Sequence, residues 1–362
     1  MKRSFNLETE GATVQAAQVP RDYRTDETGS FEIFMKYLIT GITGFAGPHL
    51  ANLLLQEGHE VFGLIRHTNG RQTDILDIVL PEHFEKITFV YGDLANFRVI
   101  NGIFKQHRFD GVFHLAAQSH PPTSFVDPLG TFEANIMGSA NVIQAIGDNQ
   151  PDCKLMFCST SEVYGNVGID GRKIKSSDTI LPANPYGASK AATDLYLQER
   201  FTNKKIRGFI TRAFSHTGPR RGRTFSISSD AYQLARMMNG DPNRKLLVGN
   251  LKSVRVVLDV RDIVRAYYLL MNNNKSDGGI FNVCGDIPRE MGFYTDEMIT
   301  LSKLGKVEKE VSPALYRPID IHYQHGDCED LVRLTGWKPT YDISTTLGDL
   351  LQYWVKKTKP GK

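Results

Sequence analysis

At 362 residues, with 41% hydrophobic and 23% charged side chains, the chain is long enough for one large globular domain or two small ones, and its composition excludes disorder as the main state. Forty-three Lys and Arg against 40 Asp and Glu leave a net charge of +3, which calls for neither a nucleic-acid nor an anionic-membrane partner. The four cysteines (Cys153, Cys158, Cys284, Cys328) form no CxxC pair and have no histidine at ligand spacing, which argues against a disulfide framework and a metal site, and no apolar run nears the roughly 20 residues of a membrane span. The expectation is a cytoplasmic protein.

Residues 1–34 are mostly polar and follow neither a period of 2 nor one of 3.6, so they read as a flexible extension, with an arm that reaches a neighbouring subunit as the other reading. The pattern changes at Met35. Apolar runs at Tyr37 to Thr40, Val61 to Ile65, Ile87 to Tyr91, Gly111 to Leu115, Leu155 to Ser159 and Gly208 to Thr211 read as buried strands with helical stretches between most of them. That alternation predicts an α/β fold, a Rossmann-type doubly wound parallel sheet, over 35–212. Residues 213–362, with helix-like stretches at Ser229 to Asn239 and Asp262 to Met271, are expected to form a smaller α/β lobe, partly interleaved with the first domain and lining a cleft.

The first strand runs into Gly41, Gly44 and Gly47, and Leu50 to Leu55 continues as an apolar helix face. A glycine turn between a strand and a helix lets backbone approach a pyrophosphate, whose charge the helix N-terminus holds; Thr43, Phe45 and Ala46 belong to the same cradle. Arg66 follows the second strand where an acidic residue would bind the ribose of NAD. An arginine there suits the 2′-phosphate of NADP, and a solvated surface arginine is the bland reading. Asp93, after the third strand, is placed either to bind adenine or to cap the next helix.

Tyr186 and Lys190 are four residues apart, hence on one helix face. A lysine cation beside a phenol favours phenolate and is expected to draw the tyrosine toward neutrality as an acid or base. The fifth strand leads into Ser159-Thr160-Ser161-Glu162-Val163-Tyr164-Gly165, so Glu162 stands at a strand C-terminal end, where open α/β sheets bind ligands.

With these residues in view, the chain resembles the extended short-chain dehydrogenase/reductases that modify nucleotide sugars. The likeness runs from about Met35 to Trp354 through the glycine turn, the HLAAQS run at 114–119, STSEVYG, YxxxK, RDIVRAY at 261–267 and GWKP at 336–339. It is nearest to GDP-mannose 4,6-dehydratases and GDP-4-keto-6-deoxymannose reductases, through LITGITGF, AAQSH, TSEVYG, SHTGPRRG and VGNLKSVR. The resemblance implies a homodimer or homotetramer that takes a GDP-sugar and NADP. It implies that Thr160 binds the sugar 4-hydroxyl, Tyr186 deprotonates it, Lys190 holds the ribose, and Glu162 removes the C5 proton and assists loss of the C6 hydroxyl. It further implies cofactor contacts from Leu94, Leu115, Ala116, Ala117 and Ser119, and substrate contacts from Ser119, Ser161, Ser215 and Asn250, with Arg220, Arg221 and Arg255 on the diphosphate.

Two runs depart from the dehydratase pattern. Ser215-His216-Thr217 stands where dehydratases carry Asn-His-Glu, and Arg255-Val256-Val257 where they carry Arg-Asp-Trp; both are closer to the reductases. The Thr160-Ser161-Glu162 run outweighs them, since the related reductases more often carry a serine or small residue where Thr160 stands, and the resemblance implies 4,6-dehydration of GDP-mannose or a GDP-manno-heptose. The alternatives are an NADPH-dependent reductase of the 4-keto product, a UDP-glucuronate decarboxylase or other nucleotide-sugar epimerase, and a dinucleotide-sensing module without catalysis.

Overall fold

The computed structural model describes residues 23–25, 31–67, 71–316, 319 and 321–359. Of the extension expected over 1–34, residues 1–22 and 26–30 lie outside the described residues, while Tyr23–Thr25 pairs antiparallel with Phe31–Ile33.

Seven parallel strands build the main sheet: β1 (Lys36–Thr40), β2 (Glu60–Ile65), β3 (Ile87–Tyr91), β4 (Gly111–His114), β5 (Lys154–Thr160), β6 (Arg207–Ala213) and β7 (Ile280–Val283), in the order β7-β6-β5-β4-β1-β2-β3. The first six are the apolar runs expected from the sequence. They lack polar/apolar alternation because both faces of a parallel sheet are covered. In β1, Tyr37 and Ile39 enter one core, packed against α1 (Ala46–Gln56) and α6 (Val260–Met271), while Leu38 enters the other, packed against α2 (Phe97–Gln106) and α3 (Gly138–Asn149). Strand order reverses between β1 and β4, which opens a crevice at their C-terminal ends.

β5 is followed by the long helix α4 (Pro185–Thr202), with Asn184 as its cap and Pro185 at its first position. The helix expected at Ser229 to Asn239 is α5 (Ser226–Met238); it packs with α7 (Met291–Ser302) and α8 (Ile343–Thr358) around Leu234, Tyr294, Met298 and Leu350. The C-terminal half thus forms a small core of its own while also contributing β7 and α6 to the main layers. Among the described residues, no helix is long and apolar enough to cross a membrane.

Candidate active site

The crevice begins at the glycine turn. Gly41 adopts φ +76°, and a Cβ there would lie 2.8 Å from the Ala116 backbone nitrogen, so β1 and the strand-end loop at 115–117 touch only because the side chain is missing. A Cβ on Gly47 would fall 2.4 Å from the Gly41 carbonyl oxygen. The start of α1 has no side-chain cap and no acidic residue in its first turn, leaving its N–H groups and positive dipole end to an anion. Thr40 Oγ1 accepts from Ala116 N at 3.2 Å and meets His114 Nδ1 at 2.7 Å; His114 Nε2 meets Ser139 Oγ at 2.9 Å. Burial pushes His114 down to about 3, so this ring works as a neutral brace. An uncapped helix behind a turn that a Cβ would block fits a dinucleotide pyrophosphate.

Arg66 is exposed just beyond β2. Asp93 Oδ1 accepts from Ala95 N at 2.9 Å in a tight turn, and the side chain that caps α2 is Asn96, whose Oδ1 accepts from Val99 N. The capping alternative for Asp93 is therefore set aside. Leu94 lends its carbonyl to Asn141 Nδ2 at 2.7 Å, and Ser119 is exposed beside the half-buried Leu115, Ala116 and Ala117.

Thr160, Glu162 and Tyr186 converge at the C-terminal end of β5. The Tyr186 hydroxyl is hydrogen-bonded to the Thr160 side chain and feels the Glu162 carboxylate and the Arg221 guanidinium. Thr160 Oγ1 also accepts from Glu162 N at 3.2 Å, starting the short turn Ser161–Tyr164. Asn184 performs two tasks: its Oδ1 accepts from Gly187 N at 2.7 Å, capping α4, and its Nδ2 donates to Glu162 Oε2 at 2.7 Å. Gly187 is required there, because a Cβ would sit 2.6 Å from the Glu162 carbonyl oxygen.

The Tyr186 shift runs opposite to the expected one. Burial is the largest influence and raises the Tyr186 hydroxyl well above its ordinary range, while the Thr160 hydrogen bond and Arg221 act in the opposite direction. Lys190 Nζ lies 4.2 Å from the Phe157 ring centroid, and burial pushes it down to about 8. Spacing alone placed both residues on one face; it did not show how deeply that face is buried.

Of the basic cluster expected at a diphosphate, Arg221 remains at the cleft, with its guanidinium 3.5 Å from the Phe225 ring centroid and 4.8 Å from that of Phe45. The Phe45 ring also stacks on His216 at 5.7 Å, joining the glycine turn to the loop that follows β6. Arg220 points elsewhere, donating to the carbonyls of Thr43, Gly44 and Asp74 and to Asp77. Arg255 is buried and donates to the carbonyls of Val254 and Ile321, and Asn250 Nδ2 donates to Ser253 Oγ at 2.9 Å. Ser161 Oγ donates to Gln324 Oε1 at 3.2 Å, and the Ser215 carbonyl accepts from Leu258 N at 3.0 Å.

A family model described as GDP-mannose 4,6 dehydratase matches residues 38–350. The chain belongs to the GDP-mannose 4,6-dehydratase family. It is an enzyme of the extended short-chain dehydrogenase/reductase type. It is 30% identical over 328 residues to the GDP-6-deoxy-D-mannose reductase of Pseudomonas aeruginosa, covering 90% of this chain and 98% of that one. It is 26% identical over 360 residues to the GDP-mannose 4,6-dehydratase of Yersinia enterocolitica, covering 90% and 95%. Among solved structures, RMD from Pseudomonas aeruginosa complexed with NADPH superposes with a TM-score of 0.74 at 26% identity, over 89% of this chain and 99% of that one. The Thermus thermophilus UDP-glucose 4-epimerase complex with NAD gives 0.76 at 25% identity, over 88% and 99%.

Several residues given no role from the sequence support the site of this family member. Ser124 Oγ accepts from Tyr186 N at 3.0 Å, holding the first turn of α4. A π-helical turn, Glu133–Met137, presents Asn135, whose side chain joins Gln118 N at 2.7 Å to Ser189 Oγ at 2.9 Å. Beneath the site, Arg212 forms a buried two-pronged pair with Asp194, which also accepts from Ser159 Oγ at 2.8 Å. The Asn-Pro start of α4 is a readable cap signal, but its bond to Glu162 depends on tertiary approach.

Proposed function

We propose that this protein is a nucleotide-sugar 4,6-dehydratase acting on a GDP-sugar of manno configuration, with NADP as its cofactor. The observation that carries the reading is the convergence of Thr160, Tyr186 and an Asn184-held Glu162 at one strand end, because elimination needs two proton-handling groups facing one sugar ring. When bound, NADP supplies the reversible hydride acceptor and a positively charged ring, the charge that a buried phenol needs in order to ionise. The cradle for it is the Gly41–Gly47 turn with the start of α1, and exposed Arg66 favours the 2′-phosphate form.

Tyr186 then takes the proton of the C4 hydroxyl, which Thr160 orients through the hydrogen bond it already makes to the phenol. Once C4 is a carbonyl, the neighbouring C5 proton becomes acidic and the Glu162 carboxylate removes it. The electron pair left at C5 expels the C6 hydroxyl, which leaves as water with a proton returned from Glu162 and gives a C5–C6 double bond conjugated to the C4 carbonyl. Return of the C4 hydride to C6 and addition of a solvent proton at C5 would then close the balance to the 4-keto-6-deoxy product with no net consumption of cofactor. Asn184 fixes one carboxylate oxygen, so the other faces the ring. Lys190, cationic below about pH 8, holds the ribose and keeps positive charge beneath the phenol. Arg221, clamped between aromatic rings, is the diphosphate contact the geometry favours.

The second reading, an NADPH-dependent reductase of the 4-keto sugar, is favoured by Ser215-His216-Thr217 and Arg255-Val256-Val257. Purified protein incubated with GDP-mannose and with GDP-manno-heptose, with and without NADPH, separates the two by product mass. A dehydratase forms a product lighter by one water without added reductant; a reductase leaves both sugars unchanged and consumes NADPH only with the 4-keto compound.

A further inference from the structure

Arg220 stands in the GPRRGR loop, where a basic pair invites assignment to a phosphate of the substrate. Its backbone adopts φ +75°, a left-handed conformation rare for a side chain of this size. That turn aims the guanidinium away from the cleft, back toward β1. Nε donates to the Gly44 carbonyl at 3.0 Å, Nη2 to the Thr43 carbonyl at 3.0 Å, and Nη1 to the Asp74 carbonyl and Asp77 Oδ1, each at 2.5 Å. A guanidinium has five N–H groups. Four are thus engaged, and no fork remains to grip a diphosphate.

Two of the three bonded carbonyls, those of Thr43 and Gly44, belong to the glycine turn itself. In a trans peptide the N–H lies opposite the C=O. Drawing the Gly44 carbonyl to Arg220 therefore turns the Phe45 N–H to the opposite side, and the Gly44 N–H stays on the Gly41 carbonyl at 2.9 Å, closing the turn. Asp77 anchors the cation and is itself tied to α8, by Tyr353 Oη at 2.8 Å and Lys357 Nζ at 3.2 Å. The side chains of Arg220 and Asp77 are only 13% and 11% exposed.

We propose that Arg220 is a positioning residue of the cofactor turn and not a ligand of the nucleotide sugar, with Asp77 linking that turn to the C-terminal helix. The proposal rests on the reading of the turn as a dinucleotide site. Its test uses the full-length protein and its R220M, R220K and D77N variants, with NADPH, NADH and GDP as probes in calorimetric titrations. R220M is expected to weaken dinucleotide binding at least tenfold while GDP affinity changes less than twofold. R220K, which keeps the charge but cannot span two carbonyls, is expected to lose at least fivefold, and D77N to fall in the same direction. Loss of GDP affinity with dinucleotide affinity intact would make Arg220 a substrate ligand and overturn the proposal; so would equal losses for both probes, or wild-type dinucleotide affinity in R220K. If the wild-type protein binds neither dinucleotide, the cofactor reading fails and the proposal with it; if wild type binds and R220M binds equally well, the proposal alone fails.

Discussion

Lys190 is 2% exposed, its ammonium lies over the Phe157 ring, and burial holds it at about 8, well below the 10.5 of an ordinary lysine. The unfolded chain takes up this proton near pH 10.5 and the folded chain only near pH 8, so between those values the unfolded state binds more protons and stability falls as pH drops. Below pH 8 the penalty is complete. A gap of that size corresponds to about 3 kcal/mol. Lys190→Met, neutral at every pH and similar in reach, should therefore stabilise the protein by about 2–3 kcal/mol at pH 7, with the advantage nearly gone by pH 10.5. The same variant should lose dinucleotide-dependent turnover, a trade of stability for function. Urea unfolding of both proteins at pH 7 and pH 10.5 measures it, and comparison at each pH cancels the titration of all other groups. A variant less stable than wild type at pH 7, or a gap that does not shrink with rising pH, would refute the reasoning.

Glu162→Gln should retain NADPH binding yet block elimination, whereas Tyr186→Phe should suppress the preceding oxidation; rapid-quench product analysis distinguishes the stages, and normal product from Glu162→Gln would remove the dehydratase reading. Asn184→Ala should cost about 1 kcal/mol through the lost cap of α4 and lower kcat by about tenfold with KM nearly unchanged; Asn184→Ser should restore the stability but not kcat, since it keeps a capping oxygen while its short side chain loses the amide donor to Glu162. Asp194→Asn should destabilise by about 3–5 kcal/mol, read from the urea midpoint, because it leaves the guanidinium of Arg212 buried without its counter-charge.

What the sequence disclosed was what local periodicity encodes. Runs such as Leu155 to Ser159 announce buried strands, the Gly41–Gly47 spacing announces a strand-to-helix turn, and Tyr186 and Lys190 share a face because a helix repeats every 3.6 residues. Features that depend on where distant segments meet stayed hidden. Arg220 looked like a phosphate ligand because its neighbours in sequence are Gly, Pro and Arg, whereas its partners are more than 140 positions away at Thr43, Gly44, Asp74 and Asp77. Arg255 likewise donates to the carbonyls of Val254 and Ile321. The direction of the Tyr186 shift followed depth of burial, a tertiary quantity that the spacing of Tyr186 and Lys190 does not reveal.

On this mechanism Glu162 exchanges the C5 proton of a GDP-manno sugar within a reaction that needs no external reductant. Incubation with GDP-mannose in D2O, without added NADPH, tests it most directly by NMR of the product. The expected product is a 4-keto-6-deoxy sugar carrying deuterium at C5, formed over many turnovers. Unchanged GDP-mannose, together with stoichiometric NADPH oxidation when the 4-keto sugar is offered, would contradict it.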